Sequence, residues 1–246
     1  MSVVREEVLD EANIAEEQYV AGIPFDHTVK HSDLYYEQYI QNFVPNAKKR
    51  LFYRFVKRSF DIVVSLLALI ILFPVMLVIA IAIRCDSKGG AIFKQKRMGK
   101  NGKEFTCYKF RSMKTEAPKN CASSLLENPA QYQTRVGRIL RRYSLDELPQ
   151  LWCVLVGTMS IIGYRPLVLT EEKCNDMRNR LGVFSARPGI SGYAQVQGRD
   201  LVYYKNKAIL DAEYVKKASL LFDLKLLIKT VAVVLKHEGN SDRKNK

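Results

Sequence analysis

The stretch from Ile62 to Ile83 reads IVVSLLALIILFPVMLVIAIAI, an apolar run of 22 residues that only Ser65 and Pro74 interrupt. As a helix rising about 1.5 Å per residue, it would be about 33 Å long, enough to cross the roughly 30 Å hydrocarbon core of a bilayer. A buried core helix of a soluble domain is less consistent with this length. The run therefore predicts a membrane anchor.

Basic residues crowd both ends of this run. Positive charge beside a membrane segment favours the cytoplasmic side of the membrane, so both ends of one helix are expected on the same side. These residues are Lys48, Lys49, Arg50, Arg54, Lys57 and Arg58 before the run, and Arg84, Lys88, Lys94, Lys96 and Arg97 after it.

Pro74 offers a way for the chain to turn back. A proline inside a helix removes one backbone hydrogen bond and clashes with the carbonyl four residues earlier, here that of Ile70. A kink is therefore expected at Pro74, and each arm would be about one leaflet deep. We predict a re-entrant membrane helix over about residues 60–84, with Pro74 as its hinge. A kinked single span, with the C-terminal domain on one side, is the alternative.

Charge is divided unevenly along the chain. The formal net charge is +14, yet residues 1–47 hold 2 Lys and Arg against 9 Asp and Glu, whereas residues 48–246 hold 37 against 16. A basic region beside an apolar anchor is typical of proteins that bind anionic lipids or phosphorylated substrates, and nucleic acid is the other common partner. The anchor favours membrane lipids and phosphate, so no nucleic acid partner is expected.

The compartment follows from the cysteines and from the start of the chain. The five cysteines are scattered without a Cys-x-x-Cys pair, which predicts reduced thiols in a cytosolic domain. The acidic segment from Met1 to Ala12 has no apolar core, so it predicts no secretory signal. The apolar run is therefore expected to be retained as an anchor.

The chain predicts three regions. Residues 48–240 are expected to form one membrane-anchored domain with an α+β, mainly helical fold. Residues 1–47 form an acidic N-terminal extension, too short and polar to bury much core, whose charge suits folding back on the basic body. Residues 241–246 are a polar tail.

Local patterns within the domain predict a small β-hairpin and several helices. Ala91 to Lys96 and Glu104 to Phe110 alternate as short strands, joined by a turn at residues 100–103. Helices are expected from about Thr134 to Arg142 and from about Leu145 to Val156. A further helix from Ala218 to Lys236 is amphipathic, with a lysine stripe beside broad apolar cover. It suits either an interfacial membrane helix or an ordinary domain helix.

The densest cluster of chemical groups is Arg141-Arg142-Tyr143-Ser144-Leu145-Asp146-Glu147. Ser144 with Glu147 three residues later matches a capping box, in which Glu147 would serve only the start of a helix. Alternatively, carboxylates held beside arginines stay ionised, and an ionised carboxylate can attack phosphorus or bind a hard metal ion. Two adjacent acids permit two separate tasks. The residues alone leave both interpretations open.

Several segments together resemble the bacterial monotopic phosphoglycosyl transferases, the sugar transferases that start assembly of surface polysaccharides and glycoproteins on a polyprenol phosphate. The resemblance runs from about Arg54 to His237, and its motifs occur in the family's order. They are Lys57-Arg58-Ser59-Phe60-Asp61, Tyr108-Lys109-Phe110-Arg111-Ser112-Met113, Ser144-Leu145-Asp146-Glu147-Leu148-Pro149-Gln150-Leu151-Trp152, Gly157-Thr158-Met159-Ser160 with Gly163-Tyr164-Arg165-Pro166, and Arg187-Pro188-Gly189-Ile190-Ser191-Gly192 through Gln195-Val196 to Gly198-Arg199.

The resemblance implies a re-entrant helix, interfacial amphipathic helices, and an active site on the cytosolic face of the bacterial inner membrane. It also implies a two-step reaction. An aspartate attacks the sugar-linked phosphate of a UDP-sugar, UMP leaves, and the phosphosugar passes to polyprenol (undecaprenyl) phosphate. Such a reaction would initiate exopolysaccharide, capsule, O-antigen or glycoprotein glycan assembly. A membrane-tethered basic binding module without catalysis is the alternative function.

Carried over by position, the resemblance makes Asp146 the nucleophile and Glu147 its partner. Both are implied ligands of Mg²⁺, the expected cofactor. Six basic residues fall on motif positions suited to binding the phosphates of the substrates: Lys109, Arg111, Arg141, Arg165, Arg187 and Arg199.

Two positions depart from the family's pattern. Tyr164 stands where the family usually has proline, so the loop loses one fixed φ angle and Arg165 is expected to be placed less rigidly. Phe73 stands where the family commonly has serine before Pro74. A serine hydroxyl could satisfy the loosened backbone at the bend, and Phe73 cannot.

Overall fold

The computed structural model describes residues 30–43, 50–118, 128–198 and 202–236. These residues form a mainly helical fold with two small two-stranded sheets, which confirms the predicted fold class. The helices are α1 Asp33–Asn42, α2 Leu51–Asp86, α3 Pro129–Tyr132, α4 Arg135–Arg142, α5 Gln150–Val156, α6 Glu172–Arg180, α7 Tyr193–Gly198, α8 Tyr204–Lys217 and α9 Leu220–Lys236; the strands are β1 Ile92–Met98, β2 Glu104–Phe110, β3 Ser160–Ile162 and β4 Gly189–Ser191.

Helix α2 is the predicted membrane helix, and at 36 residues it is longer than its apolar run. It begins at Leu51 rather than near residue 60, because the basic approach to the membrane is itself helical. Within the described chain it is the one helix long and apolar enough to cross a membrane. Only 11% of its most apolar window is buried, so α2 is not the core helix of a soluble domain.

Both ends of α2 are held by the same protein body. Near its start, Arg58 donates hydrogen bonds of 2.7 and 2.8 Å to the carbonyls of Val154 and Leu155. Near its end, Ile83 packs in a small core with Phe110. Pro74 lies inside the helix, between these two attachments. A helix that enters and leaves a bilayer on one side requires both ends on one body.

The predicted hairpin is confirmed, with β1 antiparallel to β2 and Ile92 opposite Phe110. Its turn places Asn101 at φ 57° and Gly102 at φ 68°. Both angles lie in the left-handed region, as a tight two-residue hairpin turn requires, and Asn-Gly is the preferred pair for it. The hairpin therefore has one end at this turn and the other beside Lys109 and Phe110.

The main core joins α1 to α6 and α8, and α1 contributes three buried tyrosines, Tyr35, Tyr36 and Tyr39. Part of the acidic extension therefore lies against the basic body. An ion pair of 2.6 Å between Glu37 and Arg180 reinforces this contact. The remaining residues of the extension, and the polar tail over residues 241–246, lie outside the described residues.

The exposure pattern of α9 bears on the two interpretations of the C-terminal amphipathic segment. Leu226 faces inward and is 1% exposed, whereas Leu221, Leu224 and Ile228 are exposed. On a helical wheel these exposed leucines and isoleucine adjoin the exposed Lys225. An uncovered apolar face beside a basic stripe favours the membrane interface over an ordinary domain helix.

Candidate active site

Asp146 and Glu147 lie in a 3₁₀ turn, Leu145–Glu147, that leads into α5. Ser144 adopts a left-handed conformation with φ 56°, and its side chain does not cap this turn. The capping-box interpretation is therefore wrong. The single helix predicted from Leu145 to Val156 is also wrong, since α5 begins only after Pro149. A proline suits the start of a helix, because it has no N–H group to donate.

The Glu147 carboxylate is held by two cations. One of its oxygens lies 2.7 Å from Lys109 Nζ and 3.0 Å from an Arg165 guanidinium nitrogen. Burial alone would raise the pKa of Glu147, but the charges and hydrogen bonds of Arg165 and Lys109 outweigh burial and hold that pKa well below its usual range. Glu147 is therefore ionised at all physiological pH values.

Asp146 has the opposite character, although it is the next residue. It is 9% exposed, and burial raises its pKa; the neighbouring charge of Glu147 adds to this effect, while Lys109 and Arg141 oppose it. Two adjacent carboxylates whose pKa values are moved apart are suited to different tasks. Lys109 and Arg165 are both bound to Glu147, and neither forms an ion pair with the Asp146 carboxylate.

Arg165 reaches Glu147 from the loop that follows β3, and two glycines fix this loop. Strand β3 pairs in parallel with β4, and the backbones meet where Gly163 crosses Gly189. A Cβ atom added at Gly163 would lie 2.4 Å from the carbonyl oxygen of Arg187. The two glycine-containing motifs are therefore locked together by a backbone approach that no larger residue permits.

A buried ion pair supports the loop that carries Arg165. Arg178 donates a 2.9 Å hydrogen bond to the carbonyl of Arg165, and its guanidinium pairs with Asp211. Both side chains of the pair are fully buried. Tyr164 is also fully buried, and its ring packs against Phe184. The Arg178 guanidinium lies 5.4 Å from the ring centre of Tyr164. Tyr164 thus anchors by burial a loop in which the family usually has a rigid proline.

Sequence reasoning missed the supporting arginines. Arg178 and Asp211 were not singled out, although Asp211 lies between Ala208-Ile209-Leu210 and Ala212, where a lone carboxylate signals a buried partner. Arg97 was counted only as a flanking charge. Arg97 is half-buried, its guanidinium donates to the Pro166 carbonyl and to Gln95, and it contributes positive charge near Glu147.

The structure places the other predicted phosphate-binding residues in different surroundings. Arg141 is half-buried in the last turn of α4, and its charge acts on Asp146. Arg111 is not brought into the cluster. It is 7% exposed and donates to carbonyls at the end of α2, including that of Ser87 at 2.8 Å, so it caps the membrane helix. Arg187 donates to the Gly157 carbonyl at 2.9 Å, and Arg199 lies outside the described residues.

Asp146 and Glu147 also form the candidate Mg²⁺ site. In the described ranges there is no group of three or more His, Cys, Asp or Glu side chains that could hold a metal ion by itself. Mg²⁺, however, commonly takes one or two carboxylates together with substrate phosphates and water. Two adjacent carboxylates, of which Asp146 forms no ion pair with any described residue, fit an ion that also binds a substrate diphosphate.

The comparisons with known proteins identify the family of this chain. The family described as bacterial sugar transferase matches residues 52–237. This chain belongs to that family. The match begins one residue after the start of α2 and ends one residue beyond α9, so α1 lies outside it.

Three relatives illustrate the family. An undecaprenyl-phosphate galactose phosphotransferase of Salmonella typhimurium is 41% identical over 76% of this chain and 42% of its own length. A UDP-glucose:undecaprenyl-phosphate glucose-1-phosphate transferase of Escherichia coli is 38% identical over 72% of this chain and 40% of its own length. The exopolysaccharide production protein ExoY of Sinorhizobium fredii is 36% identical over 75% of this chain and 87% of its own length. The chain thus spans about two fifths of the longer relatives and most of the shorter one.

Proposed function

We propose that this chain transfers a sugar-1-phosphate from a UDP-sugar to polyprenol phosphate, as the initiating step of a bacterial surface glycan. One observation carries the proposal. Asp146, a buried carboxylate that forms no ion pair within the described residues, lies beside Glu147, whose charge Lys109 and Arg165 compensate. The names of the Salmonella and E. coli relatives, which specify undecaprenyl phosphate as one substrate, support the same reaction.

In the first step, a carboxylate oxygen of Asp146 attacks the phosphorus that bears the sugar. A P–O bond forms to Asp146, the P–O bond of the diphosphate breaks, and UMP leaves with the electron pair. In the second step, a phosphate oxygen of polyprenol phosphate attacks the same phosphorus. The aspartyl P–O bond breaks, so the Asp146 carboxylate is restored and polyprenol diphosphate sugar is formed.

Negative charge must be balanced throughout, because a carboxylate approaches a diphosphate. Lys109 and Arg165 are held in fixed positions by Glu147, so they need little reorganisation when the substrate's phosphates arrive. Arg141 adds positive charge near Asp146. A Mg²⁺ ion held by Asp146 and Glu147 would supply further charge stabilisation to the phosphate oxygens.

The membrane elements place this chemistry at the lipid surface. Both ends of α2 contact the body that carries Asp146, and α9 exposes apolar residues beside lysine. These features support a re-entrant helix and an active site on the cytosolic face of the inner membrane. There a soluble UDP-sugar and a membrane-held polyprenol phosphate can both reach Asp146.

The decisive experiment replaces the proposed nucleophile. Membranes with the Asp146→Asn variant should lose UMP release from UDP-sugars by about 10³-fold or more, because an amide does not attack phosphorus. A panel of UDP-sugars with Mg²⁺ and undecaprenyl phosphate would provide the assay. Asp176→Asn, which neutralises an exposed aspartate of α6, is the matched control.

A second readout separates loss of chemistry from loss of folding. Without acceptor, the wild-type protein should gain the mass of one sugar phosphate when given its UDP-sugar, and Asp146→Asn should not. Turnover near the wild-type rate in a correctly inserted Asp146→Asn protein would overturn the proposal.

A further inference from the structure

A basic cavity lies away from Asp146, where α2 approaches its apolar run. Its volume is about 110 Å³. The walls come from the first turns of α2, from the hairpin turn, from β3, from the segment that precedes β4, and from the C-terminal end of α8. Its charged lining residues are Arg50, Arg54, Lys57, Lys100 and Arg187, with a single carboxylate, that of Asp61.

Two of these cations are satisfied within the protein. Lys57 forms a 2.7 Å ion pair with Asp223, and Arg50 donates to the backbone carbonyls of Lys216 and Ala218. The Asp61 carboxylate accepts a 3.1 Å hydrogen bond from the Ile161 amide. These contacts build the wall of the cavity and are not available to a ligand.

The other three cations form no ion pair in the part of the chain that the structure describes, and the Asp61 carboxylate is the one negative charge of the lining that acts on Arg187. Arg54, Lys100 and Arg187 form no ion pair there, and Arg187 donates only to the Gly157 carbonyl. Burial lowers the pKa of Lys100, and the charges of Arg187 and Arg54 lower it further. Like charges gathered in a partly enclosed space favour an anion from outside the protein.

The position of the cavity relative to the apolar run of α2 indicates the source of that anion. Arg50, at the start of α2, and the residues of α2 that line the cavity, up to Asp61, directly precede the apolar run. Phe52 and Phe55 belong to the same turns and are 76% and 72% exposed. Aromatic residues and basic groups at the start of a membrane segment lie in the headgroup region of a bilayer.

The cavity is separate from the Asp146–Glu147 site. Lys109, which contacts Glu147, lies near the far end of β2, whereas Lys100 lies in the hairpin turn. The strand from Glu104 to Lys109 alone rises roughly 17 Å. The two sites are therefore at opposite ends of the hairpin.

The size of the cavity selects the ligand class. At about 110 Å³ it is several times the roughly 10–15 Å³ that one water needs, but well below the 300 to 1,000 Å³ of pockets that enclose whole drug-sized ligands. A single phosphate group fits this space better than a complete nucleotide sugar. We propose that this cavity binds the phosphate of an anionic phospholipid at the membrane surface, apart from the Asp146–Glu147 site.

Native mass spectrometry of the full chain released from detergent micelles tests this proposal. The protein is titrated with phosphatidylglycerol, with phosphatidylcholine and with inorganic phosphate. The wild type should bind one phosphatidylglycerol in preference to phosphatidylcholine. Arg54→Ala/Lys100→Ala should weaken that binding about tenfold, or about 1.4 kcal/mol. Arg84→Ala/Lys103→Ala removes two exposed charges from the same helix and hairpin, and it should bind as the wild type does.

The remaining outcomes decide against the proposal. Equal weakening in both double variants would show a general charge effect, and equal binding of both lipids would show no anion selectivity. Displacement of the lipid by inorganic phosphate, polyprenol phosphate or a UDP-sugar at comparable concentration would assign the cavity to another phosphate source. The single variants Arg54→Ala and Lys100→Ala, each expected to weaken binding about threefold, provide the same test if the double variant does not fold. None of these results depends on sugar transfer.

Discussion

Helix α5 has basic clusters near both of its ends, and they differ in whether the protein supplies the counter-charge. Near the start of α5, Lys109 and Arg165 are bound to Glu147. Near its end, Arg187 is bound to the Gly157 carbonyl, and no carboxylate pairs with it in the described chain. Paired cations are held in fixed positions, which suits a reaction site. Cations without a partner carboxylate remain open to an external anion, which suits a binding site.

The largest expected effect comes from breaking the buried ion pair that supports the loop of Arg165. Asp211→Asn would leave Arg178 charged and fully buried, and breaking such a pair typically costs about 3–5 kcal/mol. Thermal unfolding of the protein in detergent should show this loss. Because Arg178 also donates to the Arg165 carbonyl, UMP release should fall as well.

Glu37→Gln is the matched control, because its partner Arg180 lies on the same helix, α6, as Arg178. Its partner Arg180 lies two residues from Arg178, but both side chains of that pair are about half exposed. An exposed pair contributes about 1 kcal/mol or less. If the two variants were equally stable, the support assigned to the buried pair would be wrong.

Replacing two lysines of the hairpin, one in each cluster, compares what the clusters contribute to the free energy of unfolding. Lys109→Met removes one of the two cations bound to the partly buried Glu147 and should reduce the free energy of unfolding by about 1–3 kcal/mol. Lys100→Met removes a cation that has like charges around it and should change stability by about 0.5 kcal/mol or less. Chemical unfolding in lipid-free detergent measures both. A larger loss for Lys100→Met would contradict the difference between the clusters.

The smallest expected effect is a change in the pH dependence of kcat/KM. Burial raises the pKa of Asp146, so kcat/KM should fall as the pH decreases through a value above the ordinary aspartate pKa of 3.8. Glu147 raises the pKa of Asp146 further. In Glu147→Gln the residual activity should therefore persist to lower pH than in the wild type. A decrease that begins at higher pH in this variant would contradict the assignment.

Glu147 and Asp146 change the free energy of unfolding in opposite directions as the pH falls. Its folded-state pKa lies below its unfolded-state value, so its contribution is present above the unfolded pKa and is lost as the pH falls through the folded pKa. The buried Asp146, with a raised pKa, favours folding more as it takes up a proton. Unfolding midpoints measured across the acid range should separate these two contributions.

Elements defined by local patterns were predictable. The hairpin followed from alternation and from Asn101-Gly102, and both the amphipathic C-terminal helix and the helix Arg135–Arg142 were expected close to their observed bounds. The course around Ser144 was not predictable. The same spacing of Ser144 and Glu147 suits a capping box, and only the distant Lys109 and Arg165 decide where the Glu147 side chain lies.

The basic residues also divide into a part that the sequence predicts, their motif position, and a part that only the structure shows, their partner. Motif position alone put Arg111 and Arg165 in one class, yet Arg111 caps α2 and Arg165 binds Glu147. Arg178 carries no motif signal in the sequence reasoning, although it supports the Arg165 loop. A guanidinium group can bind a carbonyl, a carboxylate or a phosphate with similar geometry, so its sequence neighbours do not specify its partner.

The sequence by itself determined the membrane helix, the hairpin, the two adjacent carboxylates and the basic character of the body. These properties depend on composition and on spacing within a few residues. The tertiary structure alone decided which cations meet a carboxylate and which do not, because Lys109, Arg165 and Glu147 come from separate elements that only folding brings together. Burial and pairing, which set the opposite pKa shifts of Asp146 and Glu147, are properties of that three-dimensional arrangement.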